Sequence, residues 1–125
     1  AGAAELDESI QRRQFFSPDL LQTVRPGDPL QTRIDLPAEI LPQARRAWLR
    51  LVVENLSPGE GLVDLGGEDA TITLPQAYTR DNGNRILMLP LAPERLASDM
   101  GIRFRVADGA HAGYRVDMAS VVVDL

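Results

Sequence analysis

An antiparallel β-sandwich, all-β, is the fold this sequence predicts, and three observations predict it. Seven or eight short segments alternate apolar with polar residues or run apolar and β-branched, the pattern of strands with a buried face. Proline and glycine clusters separate these segments, as turns separate strands. No helical stretch is long enough to cover a sheet, so the strands must cover one another.

The segment Ala3 to Phe16 comes first. Leu6, Ile10 and Arg13 would share one face of a short helix, and Glu8 with Arg12 is a favourable pair at i,i+4. The apolar stripe is thin, so an ordered arm or linker is the alternative. Ser17-Pro18 breaks the segment. Residues 1–17 are therefore set apart as an arm or linker, and 18–125 as the sandwich domain.

Leu20 to Val24 is a first strand, stopped by Arg25-Pro26-Gly27-Asp28-Pro29. Leu30, Thr32, Ile34 and Leu36 then alternate with Gln31, Arg33 and Asp35. A connection from Pro37 to Arg46 has room for one helical turn. Ala47 to Leu56 places Leu49, Leu51 and Val53 on one face and Trp48, Arg50, Val52 and Glu54 on the other. Short strands follow at Leu62 to Leu65 and Ala70 to Leu74. Asp81-Asn82-Gly83-Asn84 reads as a tight hairpin turn, since Asn-Gly tolerates positive φ at both positions. Ile86 to Leu91 is an apolar run, and Pro93 opens a helical turn to Ser98. Gly101 resets the chain. Ile102, Phe104 and Val106 alternate with Arg103 and Arg105, and Tyr114 to Leu125 closes the domain as a long β-branched strand. The expected core is Leu49, Leu51, Val53, Ile86, Leu89, Ile102, Phe104, Val106, Val116 and Val121.

Composition narrows the function. The chain has 125 residues, no cysteine and a formal net charge of -5. Disulfides, thiolate metal sites and cysteine catalysis are excluded. The acidic balance argues against a sequence-independent nucleic-acid binder. No apolar run reaches the roughly 18 residues of a membrane-spanning helix. All 13 basic residues are arginine, each a planar fork suited to carboxylates, phosphates and stacking. The opening AGAAEL carries no basic-plus-apolar signal. It fits either the remnant of a cleaved leader or a boundary within a longer protein.

From Trp48 onward the order of elements resembles a known family. WLRLVVENL, GLVDL, ATITLPQAYTRDNGN, ILMLPLAPERLAS, IRFRVADG and YRVDMASVVVDL together are similar to the galactose-binding-like jelly roll of many carbohydrate-binding modules. That resemblance implies a jelly-roll sandwich with one or two short helical turns, a non-catalytic sugar-binding role and a bacterial exported protein, periplasmic or extracellular. It also implies that a structural calcium could pin the chain ends, with Asp117 and Asp124 near one end and Glu5 and Glu8 near the other. No spacing matches a compact calcium loop, and no other cofactor is expected. Sugar platforms in such modules are commonly aromatic, whereas this chain has one Trp and two Tyr. Trp48 is expected to be buried, with a stacking surface as the alternative.

Catalytic motifs are absent. His111 is the sole histidine and lies in a Gly/Ala-rich loop; the serines lack a nucleophile elbow. There is no phosphate loop and no dinucleotide fingerprint, so an enzyme is not expected. The arginines remain. Arg33, Arg50, Arg103 and Arg105 sit on the polar sides of expected strands, where they form either solvated ion pairs or a groove for an acidic ligand. Hydrogen bonds to charged groups contribute about 1.5–3 kcal/mol, against roughly 0.5–1.5 kcal/mol for neutral ones. An anionic saccharide is therefore the ligand arginine would hold. Arg103 and Arg105 are the first candidates, followed by Arg50, Arg80 and Arg85. The expected function is a carbohydrate-binding or polysaccharide-associated module for acidic oligo- or polysaccharide. The alternative is an assembly module that contacts a partner domain or a second copy.

Overall fold

A computed structural model describes residues 11–56, 60–66, 71–74, 84–109 and 113–125, with backbone alone at 84 and 85. The strands are β1 (Arg12–Phe16), β2 (Gln22–Val24), β3 (Leu30–Asp35), β4 (Arg46–Glu54), β5 (Gly61–Leu65), β6 (Thr71–Thr73), β7 (Asn84–Leu91), β8 (Asp99–Val106) and β9 (Tyr114–Asp124). Short 3-10 helices follow β3 and β7, at Ala38–Gln43 and Pro93–Arg95. Both contain proline, which removes a backbone donor and keeps the turns short.

The strands form two antiparallel sheets. The first has the order β1-β9-β4-β7, with β2 also paired to β9; the second has the order β3-β8-β5-β6. The chain passes between the sheets at almost every connection. With β1 and β2 counted together as the edge beside β9, this is the eight-strand jelly-roll order. The last strand organises the first sheet. β9 pairs with β1 through Phe15↔Val121, with β2 through Thr23↔Arg115 and with β4 through Leu49↔Val121. Its register against β4 shifts between Val52 and Val53, so Asp117 is the extra residue of a bulge.

The core lies between the sheets. Leu49, Leu51 and Val53 from β4, Val63 from β5, Phe104 from β8 and Val116 and Val121 from β9 are all fully buried. Tyr114 is buried too, and its hydroxyl donates to the carbonyl of Arg105 at 3.1 Å. Burial pushes the Tyr114 hydroxyl well above its ordinary value, against the opposing backbone hydrogen bond. Gly113 is required where β2 meets β9. A Cβ there would lie 2.0 Å from the carbonyl oxygen of Val24.

Three expectations are corrected. Over its described part, the helix expected before Ser17 is a strand: Arg12 to Phe16 pair with Asp124 to Ser120. A free edge of β9 satisfies backbone groups there that a marginal helix could satisfy only locally. Gly101 lies inside β8 instead of resetting the chain, opposite Arg33. Ile86 is 61% exposed, not in the core. It stands opposite Val52 on the outer side of the sheet, while Leu87, Leu89 and Leu91 point inward. An apolar run gives no period from which to read the face. The remaining expected core residues are buried. The Asp81-Asn82-Gly83 turn and His111 lie outside the described residues.

Candidate functional site

β8 alternates strictly between buried Met100, Ile102, Phe104 and Val106 and outward Asp99, Gly101, Arg103 and Arg105. Its two neighbours in the sheet place their own polar residues beside these. Arg103 lies between Gln31 of β3 and Asp64 of β5. Arg105 stands opposite Leu62 and reaches diagonally to Asp64. Its Nε donates to Asp64 Oδ2 at 2.9 Å and its Nη2 to Oδ1 at 3.3 Å. The Thr71 hydroxyl from β6 donates to the same Oδ1 at 2.6 Å. The hydrogen bond from Arg105 holds the Asp64 carboxyl below its ordinary range, with Thr71 and the charge of Arg103 acting in the same direction against burial. The pairing raises the Arg105 guanidinium in turn.

Toward the other end of the strand, Arg33 forms a two-pronged ion pair with Asp99. Arg103 differs from both of these arginines. It is exposed, and among the described residues no ion pair involves it. Two adjoining grooves meet at Arg103 and Asp64. One, of about 680 Å³, is lined also by Arg25, Asp28, Thr71 and Arg105. The other, of about 850 Å³, is lined also by Asp19, Gln22, Gln31, Arg33 and Gly101. A side chain at Gly101 would meet nothing within 4 Å, so the floor is open there. No Trp, Tyr or Phe is among the described lining residues. The surface offers guanidinium forks, carboxylates, amides and a hydroxyl to a polar ligand.

The other candidates do not gather here. Arg50 projects from the outer face of the first sheet, where its Nη1 lies 3.9 Å from Met118 Sδ. Arg85 occupies β7 opposite Val53, on that same sheet, and its side chain is not described. Arg80 lies outside the described residues. Trp48 is half-buried, not buried, on the outer face of the first sheet. The guanidinium carbons of Arg12 and Arg46 lie 5.0 and 5.9 Å from its ring centre. Both described calcium candidates are ion-paired to arginine. Asp124 accepts from Arg12 Nε at 2.8 Å and has Arg46 at 3.7 Å, and Arg12 holds its carboxyl below the ordinary range. Asp117 has Arg115 Nε at 2.7 Å. Glu5 and Glu8 lie outside the described residues. Among those described, no cluster of three metal-ligating side chains occurs.

The same architecture occurs within large carbohydrate-active proteins. A β-porphyranase of glycoside hydrolase family 86 from the human gut bacterium Bacteroides plebeius superposes with a TM-score of 0.68, at 18% identity over 92% of this chain and 20% of that one. The protein BuGH86, in complex with neoagarooctaose, gives a TM-score of 0.65 at 13% identity, over 92% of this chain and 19% of its own. The chain thus spans about a fifth of the length of these proteins. At this identity the likeness is one of fold. No family model matches the sequence, and no curated protein matches it.

Sequence reasoning missed Asp64, Thr71 and Arg25. Alternation in GLVDL places Leu62 and Asp64 on one face, a readable signal. That Asp64 would meet Arg105 depends on β5 pairing with β8, strands 41 residues apart in sequence at that contact. No local pattern encodes that.

Proposed function

We propose that this chain is a non-catalytic, carbohydrate-associated module that holds an acidic saccharide along the outer face of the β3-β8-β5-β6 sheet. The observation that carries the reading is Arg103, an exposed guanidinium without an ion pair among the described residues, at the junction of two open grooves. A uronate-type carboxylate would meet it as a two-pronged, charge-assisted partner. Arg105 is committed to Asp64, so its part is to orient that carboxylate as an acceptor for sugar hydroxyls. Scarcity of aromatic surface favours this mode over stacking. The likeness of fold to parts of glycoside hydrolases supports a saccharide context, and the sequence resemblance supports kinship with galactose-binding-like modules. A periplasmic or extracellular location follows from the substrate class.

The test is calorimetric titration of a uronic-acid oligomer and a neutral oligomer of equal length. The acidic oligomer should bind in the millimolar-to-micromolar range, about -4 to -8 kcal/mol, and more weakly as salt rises. Arg103→Ala should remove most of that binding. Equal binding of both oligomers, or indifference to Arg103→Ala, would reject the reading. A second reading, an assembly module, is favoured by the apolar side chains exposed on the outer face of the first sheet.

A further inference from the structure

We propose that the outer face of the β1-β9-β4-β7 sheet is a docking surface for an apolar protein surface that brings a carboxylate to Arg50. The proposal rests on the assembly reading and is independent of the saccharide groove on the opposite side of the sandwich.

The register builds this face in rows. Val52 stands between Ile86 and Met118, and Arg50 between Met88 and Ser120, with Phe16 beyond Ser120 on β1. Ile86 is 61% exposed, Phe16 53%, Met88 43% and Met118 42%. Large apolar residues scattered singly over a surface are ordinary, but a contiguous set on one flat face marks an interaction site. The strand pattern agrees. A strand with one face in water alternates, as β8 does. β7 reads ILMLPL from Ile86 to Leu91, with Ile86 and Met88 left exposed. Near-continuous apolar runs belong to strands covered on both sides.

Arg50 specifies the chemistry of the cover. The other described arginine side chains paired on this face have their carboxylates: Arg12 and Arg46 share Asp124, and Arg115 has Glu54 and Asp117. Arg50 has only the Met118 sulfur among the described residues. A purely apolar cover would strip water from an uncompensated guanidinium, which is strongly unfavourable. The partner therefore supplies an Asp or Glu within its apolar patch. A second copy of this chain brings no described carboxylate to Arg50, because those described on this face, Asp124, Glu54 and Asp117, already serve Arg12, Arg46 and Arg115.

The experiment is selection of a displayed library of amphipathic helical peptides on the 125-residue protein, followed by titration of the enriched peptides. They should carry an acidic residue within the apolar stripe. Binding should weaken at least about tenfold, ~1.4 kcal/mol, with Ile86→Ser/Met88→Ser, and should be unchanged by Arg103→Ala. Arg50→Glu should abolish binding of the acidic peptide and restore it for a counterpart with lysine at the acidic position. Peptides that need Ile86 and Met88 but ignore Arg50→Glu would overturn the carboxylate requirement and leave the assembly reading standing. Failure to enrich any peptide sensitive to Ile86→Ser/Met88→Ser would overturn both. A concentration-dependent dimer, seen by light scattering and lost in that double variant, would replace the partner with a second copy.

Discussion

The two outer faces of this sandwich are built on the same antiparallel scaffold and share one core, yet they are opposite surfaces. The β3-β8-β5-β6 face is polar, with Arg105 tied to Asp64, Arg33 tied to Asp99, and Arg103 free of such a tie among the described residues. The β1-β9-β4-β7 face exposes Phe16, Ile86, Met88 and Met118 around Arg50. The core shared by the two sheets lies on their inner faces. The exposed positions of the outer faces are less constrained by packing. One presents guanidinium forks, carboxylates and amides. The other exposes large apolar side chains.

The largest effect expected from breaking this contrast is in the shared core. Phe104 is fully buried directly behind the arginine face, and Phe104→Ala should cost about 3–5 kcal/mol in denaturant unfolding. Ile86→Ala on the apolar outer face should change stability by no more than about 0.5 kcal/mol. A core-sized loss at Ile86 would mean that this face is already packed within one chain, and the contrast would fall.

Gly113→Ala should come next, at about 1–3 kcal/mol, because its Cβ would press on the Val24 carbonyl. The strain displaces β2, and Gln22 just beside it lines the larger groove. Saccharide binding should weaken while peptide binding to the other face persists. Unaltered hydrogen exchange at Val24 and Tyr114 would contradict this placement of β2.

Tyr114→Phe removes the hydroxyl that donates to the Arg105 carbonyl and should cost roughly 0.5–1.5 kcal/mol. It stiffens β8 from the core side, so the loss should be accompanied by faster amide exchange around Arg105. Equal stability and exchange in the variant would show that the hydroxyl does not support the groove.

The finest comparison is by pH. Each face carries one carboxyl, Asp64 or Asp124, held below its ordinary value of 3.8 by a hydrogen bond from an arginine. The folded-state value is thus the lower one. Stability from each pair is complete above about 3.8, the unfolded value, and is lost as pH falls through the folded value. Unfolding midpoints should drop on acidification below pH 4 or so. Asp64→Asn and Asp124→Asn should each flatten part of that drop. A profile unchanged by both substitutions would mean that neither pair contributes.

Alternation made much of this molecule legible in advance. The eight strands from Leu20 onward could be read because one face of each had to be apolar. Leu49, Leu51, Val53, Ile102 and Phe104 could be assigned inward because polar residues separate them. Where alternation fails, so does the reading. In Ile86 to Leu91 both faces are apolar, and only pairing with β4 decides that Ile86 points outward. In Arg12 to Phe16 neither face is strongly apolar, and only the open edge of β9 makes a strand of it.

Fold class, the strands from Leu20 onward and the outward direction of Arg103 and Arg105 are all legible locally, because period-two patterning is a property of short stretches of chain. Which charges neutralise one another is settled only by how the strands assemble. That assembly drew Arg105 to Asp64, Arg33 to Asp99 and Arg12 to Asp124 across long separations in sequence, and it sent Arg50 to a different face from Arg103. Ion pairing acts over a few ångströms. Which side chains come that close is set by strand order and register, and neither is written in any local stretch.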